Sequence, residues 1–368
     1  MKGHNYNLQT NRRYEELDAL RGLAALAVVF FHFTMERSEY NTIFKLGTTG
    51  VDLFFLISGF VIFMSLQKIS TGLEFAINRI SRLYPTYWAS VTFTFILFFS
   101  YSLYRGEGEL VHKLVMYLGN LTMFQNYLGI ADLDGPYWTL LIEMLFYLFI
   151  LFLFEKKLLK YIDIIGIVLC SVTVLVTHFF YDITYIRGVI IWLPLLQFLP
   201  LFIAGITFYK IYTNKDNVVY RYLIIAFCFF CQIKLFPYAG YSNYFINQTE
   251  YSIMLFIHFI LFTLFVNNRL KFIANRLTLF LGKISYALYL IHQFVSLTFI
   301  IPNFYNKLGL NFWIVTVLID LPIVIGLATF ITYKIEVPFS KKLKEKKLRI
   351  IAFPRIRDKN NESHRRSA

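Results

Sequence analysis

The 368-residue chain carries 36 Lys and Arg against 22 Asp and Glu, a net charge of +14, yet only 16% of its residues are charged, where a soluble domain has about 25%. Hydrophobic residues reach 57% and aromatic ones 19%, which excludes a disordered chain and a water-facing globule that would have to bury them all. The basic charge alone would suit nucleic acid, but a nucleic-acid binder has no use for long uncharged apolar runs, and the composition is that of an all-α polytopic membrane protein.

Met1 to Glu16 is polar and offers no cleavable signal. A spanning helix needs about 20 mostly apolar residues. Ten stretches meet that need: 17–35, 47–66, 83–104, 136–154, 162–181, 188–210, 217–236, 249–267, 277–300 and 311–334. The segment 110–130 is apolar but broken by Gly119, Asn120, Gln125 and Asn126. It reads as re-entrant or interfacial, with an eleventh span as the alternative. The chain thus divides into an integral-membrane domain, 1–340, and a basic tail, 341–368. The tail's run of Lys341, Lys342, Lys344, Lys346 and Lys347 fits anionic lipid headgroups better than nucleic acid.

With the N-terminus inside, the inner segments hold 29 of the 36 Lys and Arg. The excess of basic residues on cytoplasmic segments therefore places both termini in the cytoplasm. The three cysteines, Cys170, Cys228 and Cys231, lie inside apolar runs. Cys228-x-x-Cys231 has metal-like spacing but no second Cys/His pair to complete a site. Neither a disulfide framework nor a metal is expected.

Ionisable residues inside spans are costly and so point to function. In the first span Arg21 and His32 are 11 residues apart, which returns to nearly the same helix face roughly 16 Å further along. His32 is either a buried structural histidine or a general base. Asp52 opens the second span at comparable depth, where it could orient His32 or simply answer the helix dipole. Arg79 and Arg82 share a face at the inner mouth of the third span. Basic-inside bias would put arginines there, and so would a phosphate clamp. Glu143 sits in an apolar helix with Thr139 one turn earlier, so it must face the protein interior. Ser285, Tyr289 and His292 form one helical stripe, and Asp320 and Glu336 are weaker candidates.

Several motifs recur in order along the chain: Leu17-Asp18-x-Leu20-Arg21-Gly22 ending in His32, Gly50-Val51-Asp52-Leu53-Phe54-Phe55 with Ser58-Gly59, and Arg79/Arg82 before Tyr84-Pro85. Trp138-x4-Glu143-x2-Phe146-Tyr147, Gly282-x-Ile284-Ser285-Tyr286-x-Leu288-Tyr289-x2-His292 and Glu336-x-Pro338 follow. Taken together they resemble the integral-membrane acyltransferase-3 family, whose members O-acylate bacterial cell-surface glycans. The resemblance covers residues 14–340, and it implies ten transmembrane helices, an acyl-CoA donor and a place in the bacterial inner membrane. Two departures stand out. The family's Trp-Ser-x-Ser-x-Glu-Glu is here Trp138-Thr139-Leu140-Leu141-Ile142-Glu143-Met144, so roles of the second serine and second acid do not transfer. The C-terminal hydrolase-like domain of many relatives is not expected, so the chain either completes the transfer or passes the acyl group to a separate periplasmic partner.

The reading is an O-acyltransferase, most simply an O-acetyltransferase, moving acetyl from cytoplasmic acetyl-CoA to a sugar hydroxyl of a surface polysaccharide or its lipid-linked precursor. His32 would be the base, Asp52 its orienter, Arg79 and Arg82 the phosphate ligands with Arg21 lining the path, and Glu143 a cavity carboxylate. Thr139, Ser285, Tyr289 and His292 would line the same space, expected to be one cavity open at the arginine layer. Rival readings are a flippase of lipid-linked sugars, disfavoured by the lack of a visible internal repeat, and an acyltransferase for a lipid, nodulation-type oligosaccharide or antibiotic sugar.

Overall fold

Backbone groups inside a bilayer must find partners within their own segment, and the chain meets that demand with helices. A computed structural model describes residues 14–343 apart from 107, 109 and 241, and among the described residues there is no strand. The basic tail from residue 344 onward lies outside the described residues.

The helices are α1 (Glu15–Thr34), the one-turn α2 (Asn41–Phe44), α3 (Gly50–Leu66), α4 (Gly72–Tyr104), α5 (Leu110–Asn120), α6 (Trp138–Glu155) and α7 (Ile162–Phe180). Then come α8 (Thr184–Trp192), α9 (Leu195–Thr213), α10 (Val218–Leu235), α11 (Gln248–Val266), α12 (Arg276–Phe294) and α13 (Leu321–Ile331). Wider-turned helix carries α12 on to Lys307 and flanks α13 on both sides. Side chains fix several starts. Thr71 accepts from the Glu74 amide ahead of α4, and Asn247 and Asn275 close reciprocal caps with Glu250 and Thr278 at α11 and α12.

Among the described residues, nine helical segments are long and apolar enough to cross a membrane. The tenth expected span, 83–104, is the C-terminal part of α4, at 33 residues the longest helix among the described residues. Its Ser90, Thr92, Thr94, Ser100, Tyr101 and Ser102 make it less apolar than the rest. One expectation needs correction. The stretch 188–210 is not one span: the chain breaks at Leu193-Pro194, leaving α8 as a short helix with Tyr185, Val189, Ile191 and Trp192 exposed, and the crossing begins at Leu195. For 110–130 the structure favours the interfacial reading over the alternative of an eleventh span. The 11 residues of α5 rise only about 16 Å, too little for a core about 30 Å thick. Exposed Leu110, Val111, Leu114, Val115 and Leu118 instead give α5 one apolar stripe, as an interfacial helix has.

Two tight parallel pairs form the centre. α1 lies along α12 in fixed register: a Cβ on Gly22 would come within 2.6 Å of the Gly282 nitrogen, and one on Gly282 within 2.0 Å of the Asp18 carbonyl. α3 lies along α9 in the same manner, Gly59 against the Phe202 carbonyl and Gly205 against that of Leu56. Tilted and edge-on aromatics, including Phe55 with Phe198 and Phe202 and Phe60 with Tyr209, extend the second seam. The first residues of α1, α4 and α12 gather with the last turn of the final helix around one opening. The described chain therefore enters and leaves at the same end of the bundle.

Candidate active site

Three arginines meet at that opening. Arg21, Arg79 and Arg82 line a wide mouth of about 840 Å³ with Asp18, Asn78 and Glu336. They also line a narrower chamber of about 90 Å³ beneath it. Arg21 forms an ion pair with Asp18 at 3.6 Å. Arg79 is 7% exposed, donates to the Ser65 hydroxyl at 2.7 Å, and lies over the rings of Phe75 and Tyr147. Among the described residues, its Nε and Nη1 are buried without a protein hydrogen-bond partner. A buried guanidinium so incompletely bonded is suited to an anionic ligand.

The narrow chamber collects the expected residues of α6 and α12: Thr139, Glu143, Ser285 and Tyr289 all line it, joined by Ser58 and Tyr147. Glu143 accepts from the Ser58 hydroxyl at 2.6 Å and from the Tyr147 hydroxyl. With Glu336, which lines the same chamber, it sets two carboxylates against three guanidinium groups.

His32 is in a different compartment. It lines an outer chamber of about 280 Å³ with Asp132, Trp138, Ser242, Phe245 and Gln293. Among the described residues, only Val51 and Tyr289 border both this space and the narrow chamber. The Tyr289 hydroxyl is bonded to Thr139 Oγ1 at 2.9 Å and to the Pro136 carbonyl at 3.3 Å. The expected single cavity is thus two chambers with a hydrogen-bonded tyrosine between them.

His292 and Asp52 line neither chamber. His292 is fully buried, with Nε2 2.9 Å from Nδ1 of His32. Asp52, 3% exposed, accepts from the Tyr251 hydroxyl at 3.2 Å. The expected orienting contact from Asp52 to His32 is therefore replaced: Asp52 is held by α11, and the partner of His32 is an imidazole from α12. Spacing could not reveal this, because α3 presents Asp52 on the side of α11. Of the weaker candidates, Glu336 lines the mouth, and Asp320 accepts from Ser296 at 2.9 Å in a buried pair away from these chambers.

Sequence reasoning missed the acids of the 121–134 connection. Asp132 lines the chamber of His32 and accepts from Gln125 Nε2 at 2.5 Å. Asp134, buried, accepts from the Phe294 amide at 3.3 Å and so fastens the connection to α12. Burial pushes both carboxyls upward, Asp134 to about 8, against the opposing pull of its amide hydrogen bonds. Their signal was present as two acids in Asp132-Leu133-Asp134-Gly135-Pro136, immediately before a helix start.

A family model described as an acyltransferase domain matches residues 14–333. ORF330 of Acidianus two-tailed virus, provisionally named an acetyltransferase, is 27% identical over 287 residues, covering 74% of this chain and 80% of the viral protein. No solved structure matches.

Proposed function

The chain belongs to the acyltransferase-domain family, and from that premise we propose that it moves an acetyl group from acetyl-CoA to a sugar hydroxyl of a surface polysaccharide or its lipid-linked precursor. One observation carries the reading: the arginine mouth shares Arg21, Arg79, Arg82 and Glu336 with the narrow chamber, and the narrow chamber shares Val51 and Tyr289 with the chamber of His32, so the three spaces follow one another with Tyr289 as the last partition. The mouth is wide enough for a nucleotide, and its arginines suit the CoA phosphates. The narrow chamber suits only a slender arm, and a helix rise of 1.5 Å per residue separates Arg21 from His32 by roughly 16 Å. An extended pantetheine can cover that distance. The basic-inside bias supports a mouth facing the cytoplasm and a histidine chamber toward the outer face of the cytoplasmic membrane.

His32 then takes the proton of the acceptor hydroxyl as its oxygen attacks the thioester carbonyl. The new C–O bond forms, the C–S bond breaks, and the CoA thiolate leaves with the proton returned by the imidazolium. Trp138 and Phe245 offer apolar faces to a sugar ring beside that base. Gln293, whose Oε1 is buried without a protein partner, offers an acceptor for a neighbouring hydroxyl. Arg79 and Arg82 hold phosphate, and Glu143 keeps Tyr147 and Ser58 in place around the arm.

The test is the purified chain in proteoliposomes loaded with a membrane glycan extract, with [14C]acetyl-CoA supplied outside. In the fraction of molecules inserted with the arginine mouth outward, label should reach glycan in the lumen. Label confined to lipid, or no label at all with folded protein, overturns the glycan reading.

A further inference from the structure

Accepting His32 as the general base, we propose that His292 is its positioning residue, a neutral imidazole standing where a carboxylate stands in Ser-His-Asp sites. The argument is one of hydrogen-bond capacity. Nδ1 of His292 lies 3.0 Å from the Leu288 carbonyl and 2.9 Å from that of Tyr289. Carbonyl oxygens only accept, so Nδ1 of His292 carries the hydrogen and, in the neutral ring, its Nε2 carries the lone pair. That lone pair faces Nδ1 of His32 at 2.9 Å. Nδ1 of His32 also lies 3.0 Å from the Val28 carbonyl, again an acceptor. Both neighbours therefore require a hydrogen on Nδ1 of His32, and the unprotonated nitrogen left for the chamber is Nε2.

The backbone carbonyl of Val28, on the same helix, sets the tautomer but leaves the ring free to swing with its own χ angles. His292 adds a contact from a second helix. It is fully buried and locked by two carbonyls, so it fixes the ring plane of His32 toward the outer chamber. The Gly22–Gly282 approach makes this possible, since it holds α1 and α12 in a register that ten residues later brings the imidazoles opposite one another. When His32 is protonated, Nδ1–H still donates to His292 and the bond becomes charge-assisted. The pair thus holds the base in both states of the cycle without a second ionised group in the membrane.

The experiment uses the full chain in lipid nanodiscs with 15N-labelled histidine rings, His32→Ala supplying the assignment. Both rings should show hydrogen on Nδ1, with a nitrogen–nitrogen coupling across the His32–His292 hydrogen bond. With [14C]acetyl-CoA and membrane glycan, His292→Ala should lower kcat about 100-fold at unchanged KM for acetyl-CoA. His292→Gln, whose Oε1 can accept the same hydrogen, should recover at least about tenfold of the loss. A purely structural histidine would instead reduce the amount of folded protein and leave kcat per folded molecule unaltered. Hydrogen on Nε2 of His32, no coupling, or wild-type kcat in His292→Ala overturns the proposal. Full transfer by His32→Ala with the coupling intact in the unmutated chain overturns the general-base reading itself. The two failures are therefore told apart.

Discussion

Arg79 and His32 present opposite problems to a membrane protein. The guanidinium is permanently charged and buried, with one hydroxyl on Nη2 and two aromatic faces as its company. The imidazole is half-buried and tied at one nitrogen only. If Arg79 binds phosphate, Arg79→Ala should raise the KM for acetyl-CoA by about 10- to 100-fold, the equivalent of a charged hydrogen bond of about 1.5–3 kcal/mol, while kcat changes little. Donor titration of the labelled transfer measures it, and an unchanged KM would leave Arg79 a structural cation. His32→Ala should reach the membrane at normal abundance and transfer no acetyl, because it loses the base rather than a packed core side chain. Glycan acetylation per folded molecule, equal to that of the unmutated chain, would remove His32 from the chemistry.

Helix placement in the sequence follows from apolar length, and most crossings lie within a few residues of where that length puts them. The misplaced one, 188–210, failed because Pro194 interrupts a run whose composition is apolar on both sides. What the sequence could not disclose is pairing. α1 and α12 are separated by some 240 residues of chain, and nothing in either says that Gly22 meets Gly282; the stripe of Ser285, Tyr289 and His292 was visible, its partner was not. The same holds for Asp52, legible as an intramembrane acid but not as the acceptor for Tyr251. The glycine contact yields a prediction of its own. Gly282→Ala places a methyl 2.0 Å from the Asp18 carbonyl, so α1 and α12 must separate, at a cost of about 1–3 kcal/mol. Detergent-solubilised protein should unfold at lower temperature, and the His32–His292 coupling should weaken with it; an unshifted unfolding temperature would mean the seam gives way freely. The connection before α6 should respond to pH. A carboxyl whose folded value is raised to about 8 favours the folded state most below its ordinary value near 3.8, and that stabilisation is lost as pH climbs through 8. Thermal stability should accordingly fall from pH 5 to pH 9. Asp134→Asn, which keeps an acceptor for the Phe294 amide, should flatten that dependence, and an identical slope in the variant would assign it to another group.

At the scale of the whole molecule, the described helices place a charged mouth and a histidine chamber at different depths of one bundle, with Tyr289 and Thr139 between them. Reactants approaching from opposite faces would otherwise require a water-filled pore, and a cell that stores energy as an ion gradient cannot carry such a shunt. On the proposed reading, the tyrosine partition would keep the bundle closed to ions while still passing a chemical group. The current it blocks can be measured. In liposomes with a pH-sensitive dye trapped inside, Tyr289→Ala should dissipate an imposed proton gradient several times faster than the unmutated chain, while Tyr289→Phe, which keeps the ring and loses the hydrogen bonds, should fall between them. Equal decay in all three would place the electrical seal elsewhere in the bundle.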